Sequence, residues 1–147
     1  MEPSLVKGNR IFDNRGSLRF SNDLNFKGIK RFYIVHNYSK NFIRAWHGHM
    51  EEEKYIGCIK GTFQVSAVKI DKVKKPNKKN KVFNFFLNQS DSNFMHIPKG
   101  YAHGSMSLEE NSELLIFSTS SIKESLNDDI RYEVNYWNPW DIKHRWN

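Results

Sequence analysis

The 147-residue chain is expected to form one all-β domain, residues 1–147, built as a sandwich or barrel of jelly-roll size. Three observations predict this. Short runs rich in aromatic and β-branched residues dominate the chain; clusters of Gly, Asn, Asp and Ser separate them; and helical periodicity is scarce. No internal repeat and no linker divides the sequence. In chain order, "RFYIVHN" (31–37) and "RAWHGH" (44–49) read as strands, followed by "KYIGCIKGTFQVSAVKI" (54–70), "KVFNFFLN" (81–88), "NFMHIPKG" (93–100) and "SELLIFSTS" (112–120). One minor helical element is expected near "SIKESLNDDIRY" (121–132), towards the C-terminus.

Composition narrows the function classes. The net charge of +7 owes much to six lysines between Lys72 and Lys81, in "KVKKPNKKNK". They sit in one expected loop tip, not along a face with aromatics between them, so nucleic-acid binding is not expected. No apolar run is long enough to span a membrane, and the N-terminus carries no signal-peptide pattern. Cys58 is the only cysteine, which excludes an internal disulfide and fits a reducing, cytoplasmic setting.

The chemistry concentrates in "FIRAWHGHMEEEKYIGCIKG" (42–61). On a regular strand Arg44, Trp46 and Gly48 point one way, and Ala45, His47 and His49 the other. His47 and His49 therefore share a face. Further on, Pro98, Gly100 and His103 have the spacing P-x-G-x-x-H, a tight turn that delivers His103 to the end of the next strand. Both segments resemble the two motifs of the cupins, H-x-H-x(3,4)-E-x(6)-G and P-x-G-x-x-H, whose metal-binding members use the His and Glu residues as ligands. Here the Glu position, counted back from Gly61, holds Lys54, and Glu53 is one step out of phase. An ammonium offers no lone pair, so no metal is expected. The Glu run 51–53 reads as a solvated turn.

Within the cupins, the chain resembles the dTDP-4-dehydrorhamnose 3,5-epimerase family. The features are "FDNRG" (12–16), "RAWH" (44–47), Lys54 heading its strand, "PKGYAHG" (98–104) and "WNPWDIKHRW" (137–146), in the family's order. The resemblance implies a cupin jelly roll acting on a nucleotide-diphosphate-linked 4-keto-6-deoxy sugar, with no cofactor, in deoxysugar and surface polysaccharide supply. It assigns His47 as base, Lys54 as stabiliser of the enolate oxygen, and Arg44 and Arg15 as diphosphate contacts, with His103 near the pocket. It also implies a homodimer in which the segment carrying Arg15 serves the partner's pocket. The chemistry suits these residues: a neutral imidazole can take the acidified proton beside a ketone, and a fixed Lys stabilises the charge that develops on oxygen.

Two positions depart from the family's pattern. The strand residue that is its catalytic Tyr is Ile116 here, and the Asp of its W-N-D segment is Pro139, with Asp141 two places on. The second proton then falls to His49, Tyr33 or Tyr101, and the sequence does not choose among them. His49 in an R-x-x-H-x-H context also resembles the sugar 3,4-ketoisomerases, which shuttle protons on one face. Three readings remain: an epimerase at C3 or at C3 and C5, a 3,4-ketoisomerase, or a non-catalytic metal- or ligand-binding cupin. Trp137, Trp140 and Trp146 are expected to pack the tail against the barrel.

Overall fold

The strand pattern resolves into two five-stranded antiparallel sheets packed face to face, with a separate hairpin. The computed structural model describes residues 1–141. The chain enters through β1 (Ser4–Val6), β2 (Asn9–Asp13) and β3 (Gly16–Phe20), then β4 (Arg31–Asn37) and β5 (Ile43–His49). It continues through β6 (Lys54–Lys60), β7 (Thr62–Lys69), β8 (Val82–Asn88), β9 (Phe94–Ile97), β10 (Tyr101–Ser107) and β11 (Ser112–Ser118). A short helix, α1 (Ile122–Leu126), leads into β12 (Ile130–Arg131). The front sheet has the order β1-β9-β6-β11-β4, the back sheet β12-β5-β10-β7-β8, and β2 and β3 pair only with each other. This is the expected all-β jelly roll with its minor C-terminal helix. Ser121 and Glu124 close a reciprocal capping box at the start of α1, which satisfies two amides that the first turn leaves open.

Period-two alternation explains the core. Ile56 and Cys58 of β6, Leu114 and Ile116 of β11, and Phe63, Val65 and Ala67 of β7 all turn into the space between the sheets, where they are buried together. The other face of the back sheet is covered too. Trp46, Val68, Ala102 and Met106 pack there under Trp137 and Trp140 of the C-terminal segment. The Trp46 indole N–H donates to the carbonyls of Val134 and Trp137 at 3.0 and 3.1 Å. Burial on both faces is why β7 reads as a nearly continuous run of apolar and small residues. Trp137 and Trp140 thus pack the tail as expected, and Trp146 lies outside the described residues. All six lysines of the loop between β7 and β8 are exposed, and the tail braces its backbone: Tyr132 Oη donates to Val73 O at 2.6 Å and Trp137 Nε1 to Asn77 O at 3.1 Å.

Regular alternation fails at one place that matters. Between β5 and β10, His47 lies opposite His103 and Arg44 opposite Ser105. Ala45 and Trp46 therefore face Gly104 alone, which makes a β-bulge in β5. The extra residue corrects the expected facing of Arg44: Trp46 stays on the tail-covered face, while Arg44 rotates to the same side as His47. Gly104 permits the close approach. A Cβ there would lie 2.6 Å from Ala45 Cβ and 2.9 Å from the Trp140 ring.

Candidate active site

The cavity at the mouth of the barrel, about 310 Å³, is walled by both sheets. The back sheet supplies His47, His49 and Arg44 from β5, and His103 and Ser105 from β10. The front sheet supplies Arg31, Tyr33 and Val35 from β4, Lys54 and Ile56 from β6, and Leu114 and Ile116 from β11. The rim is made by α1 and by Asp129 and Arg131 of the following turn and strand. Of the residues singled out in the sequence, His47, His49, Lys54, Arg44, His103 and Tyr33 therefore meet in one cavity.

The three imidazoles form a layer. The His103 ring lies 5.9 Å from that of His47 and 6.2 Å from that of His49. The turn before β10 delivers His103: Gly100 adopts φ +79° and donates its N–H to His49 O at 2.8 Å, a backbone conformation for which glycine is suited. Burial, then the charges of Arg131 and Lys54, pull the His47 pKa down to about 4. His47 is neutral at ordinary pH and holds a lone pair ready for a proton. Burial also lowers His49 and His103, His103 the more strongly.

On the opposite wall, Lys54 Nζ lies 2.9 Å from Tyr33 Oη. Lys54 is buried and faces the cavity, whereas Glu53 turns away, its carboxylate 2.8 Å from His96 Nε2. One residue of phase separates these two fates, as the side-chain alternation of a strand demands. Arg44 is fixed at the cavity by Nε donating to Asn37 Oδ1 at 2.7 Å.

Several expected residues lie elsewhere. Arg15 sits at the tip of the β2–β3 hairpin, exposed and paired to Asp13 at 2.7 Å. Tyr101 is buried between the sheets beside Phe83, and its hydroxyl donates to Met1 O at 3.3 Å. It does not line the cavity. Asp141 borders an outer groove with Lys78 and Asn84. Ile116 does line the cavity, and its strand partner on β4 is Tyr33. A hydroxyl missing from β11 is thus supplied from the neighbouring strand on the same wall.

The solvated reading of residues 51–53 fails at Glu52. Its side chain is fully buried, with Oε2 accepting from Ser118 Oγ at 2.8 Å and lying 3.5 Å from Lys54 Nζ and 3.6 Å from Arg31. Asp128 shapes this turn. Its carboxylate accepts the backbone N–H groups of Met50, Glu51 and Glu52 at 2.9, 2.9 and 3.2 Å. Sequence reasoning misses Arg31, Glu52, Asp128, Asp129 and Arg131. For the last three the only signal is the acidic pair in "NDDIR" (127–131), which reads as the tail of a helix.

Among the described residues no group of three or more His, Cys, Asp or Glu is arranged to hold a metal ion. Imidazoles on one wall, and an amino group bonded to a phenol on the other, are suited to moving protons at a carbon between them.

The model of the family described as dTDP-4-dehydrorhamnose 3,5-epimerase matches residues 5–142. No curated protein sequence matches the chain. Among solved structures, the dTDP-4-dehydrorhamnose 3,5-epimerase from Elizabethkingia anophelis NUHP1 is similar at 17% identity over 95% of this chain and 81% of that one, with a TM-score of 0.75. The same-named protein from Bacillus anthracis str. Ames, with TDP and PPi bound, shares 18% over 95% and 85%, TM-score 0.75. A mutant of the 3,4-ketoisomerase QdtA from Thermoanaerobacterium thermosaccharolyticum, in complex with TDP-4-keto-6-deoxyglucose, shares 22% over 92% and 91%, TM-score 0.71.

Proposed function

Because the chain belongs to the dTDP-4-dehydrorhamnose 3,5-epimerase family, we propose that it inverts a carbon beside the ketone of a nucleotide-diphosphate-linked 4-keto-6-deoxy sugar. The supporting observation is the division of proton-bearing groups between two walls. His47, on the back sheet, takes the C3 proton onto its free ring nitrogen. The electron pair moves into the C3–C4 bond and charge develops on O4, where Lys54 donates. Tyr33, on the front sheet, returns a proton to the other face of C3. The enolate closes back to the ketone, His47 sheds its proton and Tyr33 regains one, so no cofactor is consumed. Arg44 and Arg31 hold the diphosphate in planar hydrogen-bonding forks.

A second reading has an observation of its own. His47 and His49 leave the same wall, and Ile116 adds no hydroxyl, which suits a 3,4-ketoisomerase that moves protons on one face. Incubation with dTDP- and UDP-4-keto-6-deoxy sugars in D2O separates the two. Deuterium at C3 with inversion supports the epimerase, further wash-in at C5 makes it a two-centre enzyme, and a ketone relocated to C3 selects the ketoisomerase. No exchange with any such sugar removes both.

The working unit is a homodimer in deoxysugar supply for surface polysaccharide, in the cytoplasm. Phe32 and Ile34, pointing out from β4, are 64% and 53% exposed, and Phe12 and Leu18 of the hairpin are exposed as well. An outer groove beside them is lined by Phe26, Phe94 and Phe117. A second copy covers this face and brings the hairpin with Arg15 towards the neighbouring cavity. Sedimentation equilibrium tests the dimer. Co-expressing Arg15→Ala with His47→Asn restores activity at low substrate only if Arg15 acts across the interface.

A further inference from the structure

We propose that Glu52 is a positioning residue that makes His49 a further proton carrier of the cavity, beside His47 and Tyr33, and, through the same carboxylate, holds Lys54 on its wall. The proposal deepens the reading above and rests on it for the identity of the substrate.

Three geometric facts carry it. First, His49 Nδ1 lies 2.8 Å from the backbone carbonyl of Asp128. A carbonyl only accepts, so Nδ1 carries the hydrogen and Nε2 keeps its lone pair. Second, Glu52 Oε1 lies 3.7 Å from the same Nδ1 and lacks a well-formed hydrogen bond although it is buried. A buried carboxylate oxygen so placed beside an oriented imidazole is poised to stabilise the cation formed when Nε2 takes a proton. Third, the other oxygen of Glu52 faces Lys54 and Arg31. One buried anion therefore serves a proton carrier and an enolate donor on opposite walls.

Charge agrees with the geometry. Burial pushes the Glu52 carboxyl upward, but Lys54 and the Ser125 and Ser118 hydroxyls outweigh it, and the group is held below its ordinary range. The groups that face His49 are Glu52 and Asp128, which favour its protonated form, and Lys54, which opposes it. His47 and His103 lie beside it, and Asp129 feels its charge. Removing the Glu52 charge leaves Lys54 less opposed, so His49 must bind protons more weakly.

The test is Glu52→Gln, with Glu52→Asp as a milder companion that keeps the charge. The His49 ring is followed by NMR titration, with His49→Asn for assignment. The expected result is a fall in the His49 midpoint of roughly one pH unit in Glu52→Gln, and a smaller fall in Glu52→Asp. On the ketosugar, kcat drops about tenfold or more, while KM holds or falls because the cavity becomes more positive. An unmoved His49 midpoint in Glu52→Gln, or a loss of activity that only tracks the unfolded fraction, overturns the proposal. The titration needs no substrate, so its outcome is independent of the sugar chemistry. A coupled His49 in a protein that enolises no ketosugar supports Glu52 and overturns the isomerase reading; an active enzyme with an uncoupled His49 does the reverse.

Discussion

His47 and Tyr33 make separable predictions about one carbon. His47→Asn removes the group that breaks the C–H bond, so deuterium wash-in and turnover are both lost while nucleotide binding, followed by calorimetry, is retained. Tyr33→Phe leaves His47 in place. It should keep exchange at C3, with the proton returning to the face it left, and lose inversion. Lys54→Ala removes the donor to the enolate oxygen and should lower kcat by roughly 100-fold or more; a loss below about tenfold would remove Lys54 from that role. The identities of these side chains are legible in the sequence, since His and Lys at strand spacing announce which wall they serve. The neighbours that set their charge are not. Glu51, Glu52 and Glu53 are chemically identical in the sequence, and only the turn wrapped round the Asp128 carboxylate decides that Glu52 goes in.

The strands can be read because burial between two sheets leaves a period-two trace. "RFYIVHN" is β4, and "KYIGCIKGTFQVSAVKI" holds β6 and β7. The short strands β1, β2, β3 and β12 leave no comparable trace, because their side chains are mostly exposed or the strand is only two residues long. The bulge in β5 is illegible for a different reason. It is imposed by Trp46 packing against Trp137 and Trp140, far along the chain, and local spacing holds no record of such a partner. Two element-level outcomes follow. Trp46→Ala empties the centre of the outer cluster and should cost about 3–5 kcal/mol in urea denaturation. Gly104→Ala drives a methyl into Ala45 and the Trp140 ring, and should cost about 1–3 kcal/mol. Because His103 precedes it, the loss of activity should exceed what the loss of folded protein explains.

Over the whole molecule, the buried imidazoles tie stability to pH. His47, with a folded pKa of about 4, lies below the ordinary histidine value of 6.5, and His49 and His103 shift the same way. Below about pH 6.5 the unfolded chain binds these protons and the folded one does not, so each unit of acidification favours unfolding. For His47 the loss runs from about pH 6.5 down to about pH 4 and then levels off. Thermal melts across that window should show Tm falling with pH, and His47→Asn should flatten part of the slope. A flat profile would place these rings in water.

The unmatched residue in β5 also fixes the parity of the strand. Every side chain before it is turned by half a period relative to those after it, so the guanidinium of Arg44 and the imidazole of His47 look the same way across an odd interval. Drawn straight, with every residue kept but the bulge lost, the strand would return to plain alternation. Arg44 would then swing to the tail side and Ile43 into the anion's seat, leaving the proton chemistry equipped but the diphosphate to Arg31 alone.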